Sequence, residues 1–268
     1  LKKLKKNFNS SFNNAVEAIT HCQSKIIIAG VGKSGLIAAK LAATFSSVGT
    51  PSFNISASDC SHGDLGSITK KDLVILISNS GNSEELKNII KFTNRHKIKL
   101  IGIVSKKNSI LYKASDIRLL IPESQEAGFG IVPTTSTTMQ LAIGDALAIS
   151  VMNYKKFDKL DFKKFHPAGS LGNKLKTAED LMTVKGKIPF INENETIKNG
   201  LKVLNAKKLG VLIARNSKKE TTGIFTDGDI KRAIQKNSEI LKKRIKLFMT
   251  KKPISIEKDT LAVKALSI

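Results

Sequence analysis

Residues 78–83 read Ser-Asn-Ser-Gly-Asn-Ser and gather hydroxyls, amides and backbone N–H groups into one short loop. The loop follows the apolar run Leu73 to Ile77 and precedes Glu84-Glu85. At a helix start such a loop receives the positive end of the helix dipole, so it binds a phosphate without a cofactor. The same residues serve equally well as a Ser/Asn cap between strand and helix. A second loop, Gly30-Val31-Gly32-Lys33-Ser34-Gly35, puts a lysine inside a glycine turn. Glu126 precedes Ala127-Gly128-Phe129-Gly130, and Pro133-Thr134-Thr135-Ser136-Thr137-Thr138 then opens a helix. Those hydroxyls cap the helix, or cradle a polyol or phosphate. Glu84 and Glu85 complement a helix dipole, or one of them faces a substrate.

Four histidines occur, and two of them, His62 and His166, sit in glycine-flanked loops. Each is fit to act as acid, base or metal ligand, although a lone histidine is more often structural. No His-x-His or His-x-x-x-His spacing is present, so His62 stands alone as a candidate metal ligand.

Gly30-x-Gly32-x-x-Gly35 also matches the dinucleotide fingerprint, in the strand-to-helix context that fingerprint needs. The acid that would hold a ribose is missing: the next strand ends Asn54-Ile55-Ser56-Ala57-Ser58, and Asp59 comes late. Lys33 adds bulk where a pyrophosphate allows little. A Walker A loop fails because Ile27 occupies its first glycine position.

These loops need a frame, and the pattern from about residue 10 to 155 supplies one. Strands are expected at Lys25–Ala29, Pro51–Ser56, Leu73–Ile77, Lys99–Ser105 and Ile117–Ile121. Helices are expected at Asn14–Cys22, Ser34–Ser47, Glu84–Arg95 and Thr134–Tyr154. The alternation predicts an α/β fold, a doubly wound parallel five-stranded sheet covered on both faces. Ligands gather at the carboxyl ends of such strands.

The chain has 268 residues, enough for one large domain and a smaller one. Its net charge of +23 invites a nucleic-acid partner, but only five of its 45 basic residues are Arg. Lysine scattered along the whole chain coats a surface; it lacks the bidentate forks that read bases. No apolar run nears the ~20 residues that cross a bilayer, and the start LKKLKKNFNSSF has no apolar signal core. Two cysteines, Cys22 and Cys60, give no disulfide framework and fit a reducing cytoplasm.

Residues 156–178 read as a polar, Lys-rich linker carrying His166-Pro167-Ala168-Gly169-Ser170-Leu171-Gly172. A repeat follows: Met182-Thr183 returns as Met249-Thr250, and Pro189-Phe190 as Pro253-Ile254, a period of 64. Two small paired modules are expected, at 179–242 and from 243 onward, the second stopping partway as in a truncated chain.

Taken together these motifs resemble the D-arabinose 5-phosphate isomerases, in which a sugar isomerase (SIS) domain, here 1–155, precedes a pair of α+β CBS modules. The resemblance rests on Gly30 to Gly35, Gly49-Thr50-Pro51, His62 to Gly66, Ser78 to Gly81, Pro133 to Thr138, Gly144 to Ala148, His166-Pro167 and Gly223 to Asp229. It implies reversible isomerisation of D-ribulose 5-phosphate and D-arabinose 5-phosphate through a cis-enediol, in the route to the Kdo sugar of lipopolysaccharide. By motif, Lys33, Glu85, Glu126 and His166 are its catalytic residues. Glu126 is the leading base and Glu85 its competitor; exclusion of water is expected to raise the carboxyl pKa of the base. Gly49, Thr50, His62, Ser78, Asn79, Ser80, Ser83, Thr134, Thr135 and Ser136 are its substrate contacts.

The resemblance further implies a homodimer or homotetramer in which a neighbouring subunit supplies His166, and a nucleotide as the ligand of the CBS modules. No redox cofactor is needed. Ser56 replaces the metal-linked histidine of the family, which removes the main support for zinc, and Asp59 replaces the Glu that follows it. Two other readings stand beside this one: a non-catalytic sugar-phosphate sensor and a nicotinamide-dependent oxidoreductase.

Overall fold

The computed structural model describes residues 2–166, 172, 174–236 and 239–268. Pro167 to Leu171 of the glycine-rich segment after His166 lie outside the described residues. The chain divides into two compact units, 1–167 and 168–268.

The first unit holds a five-stranded sheet in the order β2-β1-β3-β4-β5. Its strands are β1 (Ile26–Gly30), β2 (Ser52–Asn54), β3 (Leu73–Ser78), β4 (Lys99–Val104) and β5 (Ile117–Leu120). Every pairing is parallel, with Ile28 beside Ile75 and Ile75 beside Ile101. Near-continuous apolar runs form the three central strands β1, β3 and β4, because both of their faces are covered. The side-chain alternation of a strand then divides the core. Ile26, Ile28, Ile75, Ile77, Ile101 and Ile103 face α1 (Ser10–Thr20), α2 (Lys33–Ser47) and α6 (Thr135–Tyr154). Ile27, Ala29, Val74, Leu76, Leu100 and Val104 face α3 (Leu86–His96) and α4 (Ile110–Ala114).

α1 begins four residues earlier than the apolar pattern predicts, because the Asn9 side chain accepts the Ser11 N–H at 3.0 Å. The residues between Glu126 and α6 form a short helical turn, α5 (Gly128–Ile131), in which Phe129 and Gly130 both take positive φ. α2 and α6 lie unusually close: a Cβ on Gly144 would sit 2.2 Å from Leu41 Cδ1. Lys40 pairs with both Asp145 oxygens, at 2.5 and 2.6 Å, across the same helix contact.

The expected linker is not featureless. Its first half forms α7 (Lys159–Phe165), started by a capping box between Asp158 and Asp161. Phe162 packs this helix on the core of the first unit.

The second unit holds a mixed sheet in the order β6-β7-β8-β9. Its strands are β6 (Phe190–Asn192), β7 (Val211–Arg215), β8 (Thr221–Thr226) and β9 (Thr250–Lys251), joined with α8 (Ala178–Leu181), α9 (Ile197–Lys207), α10 (Asp227–Lys236) and α11 (Ala262–Ala265). Leu212, Ala214 and Phe225 centre its core. No helix among the described residues is long and apolar enough to cross a membrane.

Candidate active site

The strand order reverses between β1 and β3: the chain leaves β1 for β2 on one side, then returns to β3 on the other. A crevice forms at the carboxyl ends of strands at such a point. The glycine turn ends β1 there, and the serine loop ends β3. A cleft of about 290 Å³ lies between them, lined by Lys33, Ser34, Ser78, Asn79, Ser80, Ser83, Glu126, Ser136 and Thr137, with Val31, Ile131 and Pro133.

Glycine makes the β1 turn possible. A Cβ on Gly30 would lie 2.7 Å from the Ser34 carbonyl carbon, and Gly32 holds φ at +56°. This packing sets Lys33 and Ser34 at the first turn of α2, with Lys33 exposed at the cleft. In the serine loop, Ser78 is buried and its Oγ accepts the Gly81 N–H at 3.0 Å. Its Oγ also lies 3.3 Å from Ser83 Oγ. Gly81, at φ +69°, seats against Ser109, and its carbonyl accepts the Leu111 N–H at 3.0 Å. Ser78 thus braces the loop, while Asn79 and Ser80 are exposed at the cleft.

Glu126 is half-buried, and its Oε2 accepts the backbone N–H groups of Thr134 at 3.0 Å and Ser136 at 3.2 Å. The Thr134 hydroxyl in turn accepts the Ala127 N–H at 3.1 Å, so Thr134 and Thr135 organise the carboxylate. Burial pushes this carboxyl up, but the Ser136 hydroxyl and the N–H groups of Thr134, Ser136 and Thr135 outweigh burial and hold it below the usual carboxylate range. The expectation of a raised carboxyl is therefore corrected: donors at the α6 N-terminus stabilise the charged form.

Placement within the chain sets five further candidates apart from this cleft lining. Glu85 is exposed at the start of α3 and lies outside the cleft lining. His62 is exposed at the end of a 3-10 turn, Asp59–His62, that Asn88 Nδ2 ties to α3 through Ser61 Oγ at 2.9 Å. Gly49 and Thr50 precede β2, at the amino end of the sheet and not at the cleft. There Phe157 covers Gly49, and Lys155 Nζ donates to Thr50 Oγ1 at 3.0 Å. His166 belongs to the same end: Phe165 stacks on Phe157, and His166 stacks on Phe162 with ring centroids 3.8 Å apart. His166 Nδ1 lies 2.8 Å from the Phe162 carbonyl, which only accepts, so Nδ1 is the donor there and Nε2 is the nitrogen left free for chemistry.

Thr137 also lines the cleft, in line with the hydroxyl run from Thr134 to Thr138, and so does Ser34, a member of the Gly30 to Gly35 turn not singled out as a contact. Position 56 offers no metal-binding imidazole. Ser56 Oγ accepts the Asp59 N–H at 3.3 Å, and no three His, Cys, Asp or Glu among the described residues are placed around a metal. Both cysteines are free, and burial, with Asp64 and Asp59 nearby, pushes the Cys60 thiol up to about 11, which leaves it inert.

A doubly wound sheet with an anion-fit cleft at its switch point, followed by a small mixed sheet, defines a SIS protein with a CBS module. The SIS domain family matches residues 19–150 and the CBS domain family residues 178–236. Arabinose 5-phosphate isomerase KdsD of Yersinia pestis is 40% identical over 270 residues, covering 100% of this chain and 82% of its own. The Francisella tularensis protein of the same name is 39% identical over 272 residues, covering 99% and 83%. An E. coli CFT073 protein, c3406, solved in complex with a sugar phosphate, is 40% identical with a TM-score of 0.59, over 62% of this chain and 90% of that one. The chain belongs to the arabinose 5-phosphate isomerase family.

Proposed function

We propose that this chain interconverts D-ribulose 5-phosphate and D-arabinose 5-phosphate. The observation that carries the reading is one cleft holding a cation, a carboxylate and a cradle of hydroxyls: Lys33, Glu126, and Ser80, Ser83 and Thr137. The full-length relatives named for this activity and the neighbour bound to a sugar phosphate support the choice of substrate.

In the ketose-to-aldose direction Glu126 takes a proton from C1, which gives a cis-enediol, and the proton returns at C2. One oxygen-bound proton moves from O1 to O2, so no redox partner is consumed and no cofactor is required. Lys33 stabilises the enediolate oxygen as charge develops. The serine loop and the α6 N-terminus hold the phosphate and hydroxyls. His166, through Nε2, assists opening of the aldose ring. It works in the cleft of a second copy, a role supported by its place with Gly49 and Thr50 at the opposite end of its own sheet.

The CBS unit is then the regulatory or assembly element, with a nucleotide as its class of ligand. Asp229 there already accepts the Thr226 N–H and hydroxyl, both at 2.8 Å, and pairs with Arg232. The product feeds synthesis of the Kdo sugar of lipopolysaccharide.

Turnover with D-ribulose 5-phosphate, run beside other ketose phosphates, tests the reading. Formation of the arabinose isomer is expected, and its absence overturns the assignment.

A further inference from the structure

The buried side of α6 is apolar at Met139, Ile143, Leu147, Ala148 and Val151, yet Gln140 stands among them at 0% exposure. A primary amide in such a place is costly unless its groups are bonded. Its Oε1 accepts the Ser34 hydroxyl at 3.1 Å. Its Nε2 has no hydrogen-bond partner among the described residues. Ser34, in turn, lines the cleft beside Lys33.

We infer that Gln140 is a positioning residue which turns Ser34 into a hydrogen-bond acceptor for a substrate hydroxyl. A serine hydroxyl owns one proton and two lone pairs. With its proton committed to Gln140, Ser34 offers the cleft lone pairs only. A phosphate dianion also offers only lone pairs, so Ser34 repels it and favours the sugar end of the ligand, where hydroxyls donate. The cleft is thereby polarised: donors in the serine loop and the α6 N-terminus take the phosphate, and an acceptor at the first turn of α2 takes a hydroxyl. The inference rests on the sugar-phosphate reading above and assigns a side of the cleft to each end of that ligand. The unpaired Nε2 is a cost that an apolar residue would not carry, and the bond from Ser34 to Oε1 is what the amide gives in return: removal of the carboxamide would relieve a buried polar group while freeing the Ser34 rotor.

Calorimetric titration of the full chain with D-ribulose 5-phosphate tests this in Ser34→Ala, Gln140→Met and the double variant, each with a thermal melt. Either single change is expected to weaken binding about five- to tenfold, the scale of one lost neutral hydrogen bond. The double variant is expected to bind no more weakly than the singles, because both act through one contact. Gln140→Met is expected to melt no lower than the parent. Gln140→Glu, which retains an acceptor for Ser34, is expected to restore affinity where it folds. Unchanged affinity in folded Gln140→Met, additive losses in the double variant, or lost affinity in folded Gln140→Glu each overturn the inference. A parent chain that binds the sugar phosphate without isomerising it refutes the catalytic reading alone; one that does not bind it overturns both.

Discussion

Glu126 and Ser136 are joined by a hydrogen bond of 3.2 Å from the Ser136 N–H to Oε2, so the carboxylate at the cleft also caps the helix that supplies the opposite wall. In the proposed mechanism, base and scaffold are one residue. Glu126→Gln keeps an acceptor for the cap and loses the base. Turnover is expected to fall by roughly a hundredfold or more, with the melting temperature little changed. Glu126→Ala is expected to lose the cap as well, at about 1 kcal/mol of stability. Near-parent turnover in Glu126→Gln moves the base elsewhere, to Glu85 first.

The depressed Glu126 carboxyl fixes a pH response. A base works when deprotonated, so activity persists through the usual carboxylate range and falls only as pH drops through the lower folded value. A profile of kcat/KM against pH reports this group in the free protein. An acid limb above the ordinary glutamate value contradicts the assignment.

Asp72 makes a similar prediction for stability. It is 3% exposed and bonds Lys25 Nζ at 2.9 Å and the Thr69 N–H at 2.7 Å. Burial pushes its carboxyl up, but the bonds from Thr69, Ser24 and Lys25 outweigh burial and lower it from 3.8 to about 2. A depressed folded pKa stabilises above the unfolded value, and the gain is lost as pH falls through the folded one. About 2 kcal/mol should therefore disappear between pH 4 and 2, at 1.36 kcal/mol per unit. Denaturant melts of Asp72→Asn should show lower stability at neutral pH and a flatter acid limb; equal acid dependence in both proteins contradicts the account.

Gly81→Ala should damage the serine loop. Its φ of +69° disfavours any side chain, and the new Cβ would lie 2.3 Å from Ser109 Oγ. A loss of about 1–3 kcal/mol is expected, together with weaker sugar-phosphate binding, because Ser78 and Ser83 are braced by the same turn. Parent-like melting and affinity would show that the loop moves freely around Ser109.

A shared site predicts complementation. Lys33→Ala and His166→Ala should each abolish most turnover, and a refolded mixture of the two should regain part of it. No recovery in mixed, folded protein places His166 outside the chemistry of a second copy.

The sequence announces β1, β3 and β4 through unbroken apolar runs, and the loops after β1 and β3 through their Gly and Ser content. α4 escapes because five residues are too few to show a helical period. Motifs gather Gly49, Thr50 and His166 with Lys33, whereas topology puts them at opposite ends of one sheet. A motif names residue types, but only the direction of a strand says which end they occupy. Glu126 was legible as a candidate, and it does line the cleft; its depressed carboxyl was not legible, since it depends on N–H groups eight to ten residues ahead. Gln140 carries a legible signal too, a lone amide among apolar helix positions, but its meaning depends on Ser34, which only the fold brings beside it.

Gly144 has a mechanical consequence. Leu41 fills the space its side chain would take, and α2 and α6 are pinned there just behind the turns that carry Lys33 and Ser136. Two helices packed so closely behave as a single stiff plate, since their interface has no slack to take up strain. The serine loop is pinned in the same way, by Gly81 against Ser109, so the compliance of the cleft resides in the exposed segment 127–132. An ill-fitting ligand pressed against the plate is refused by shape, whereas one that protrudes toward 127–132 is accommodated. Substrate tolerance in this chain should be lopsided, strict toward the helices and forgiving toward that segment.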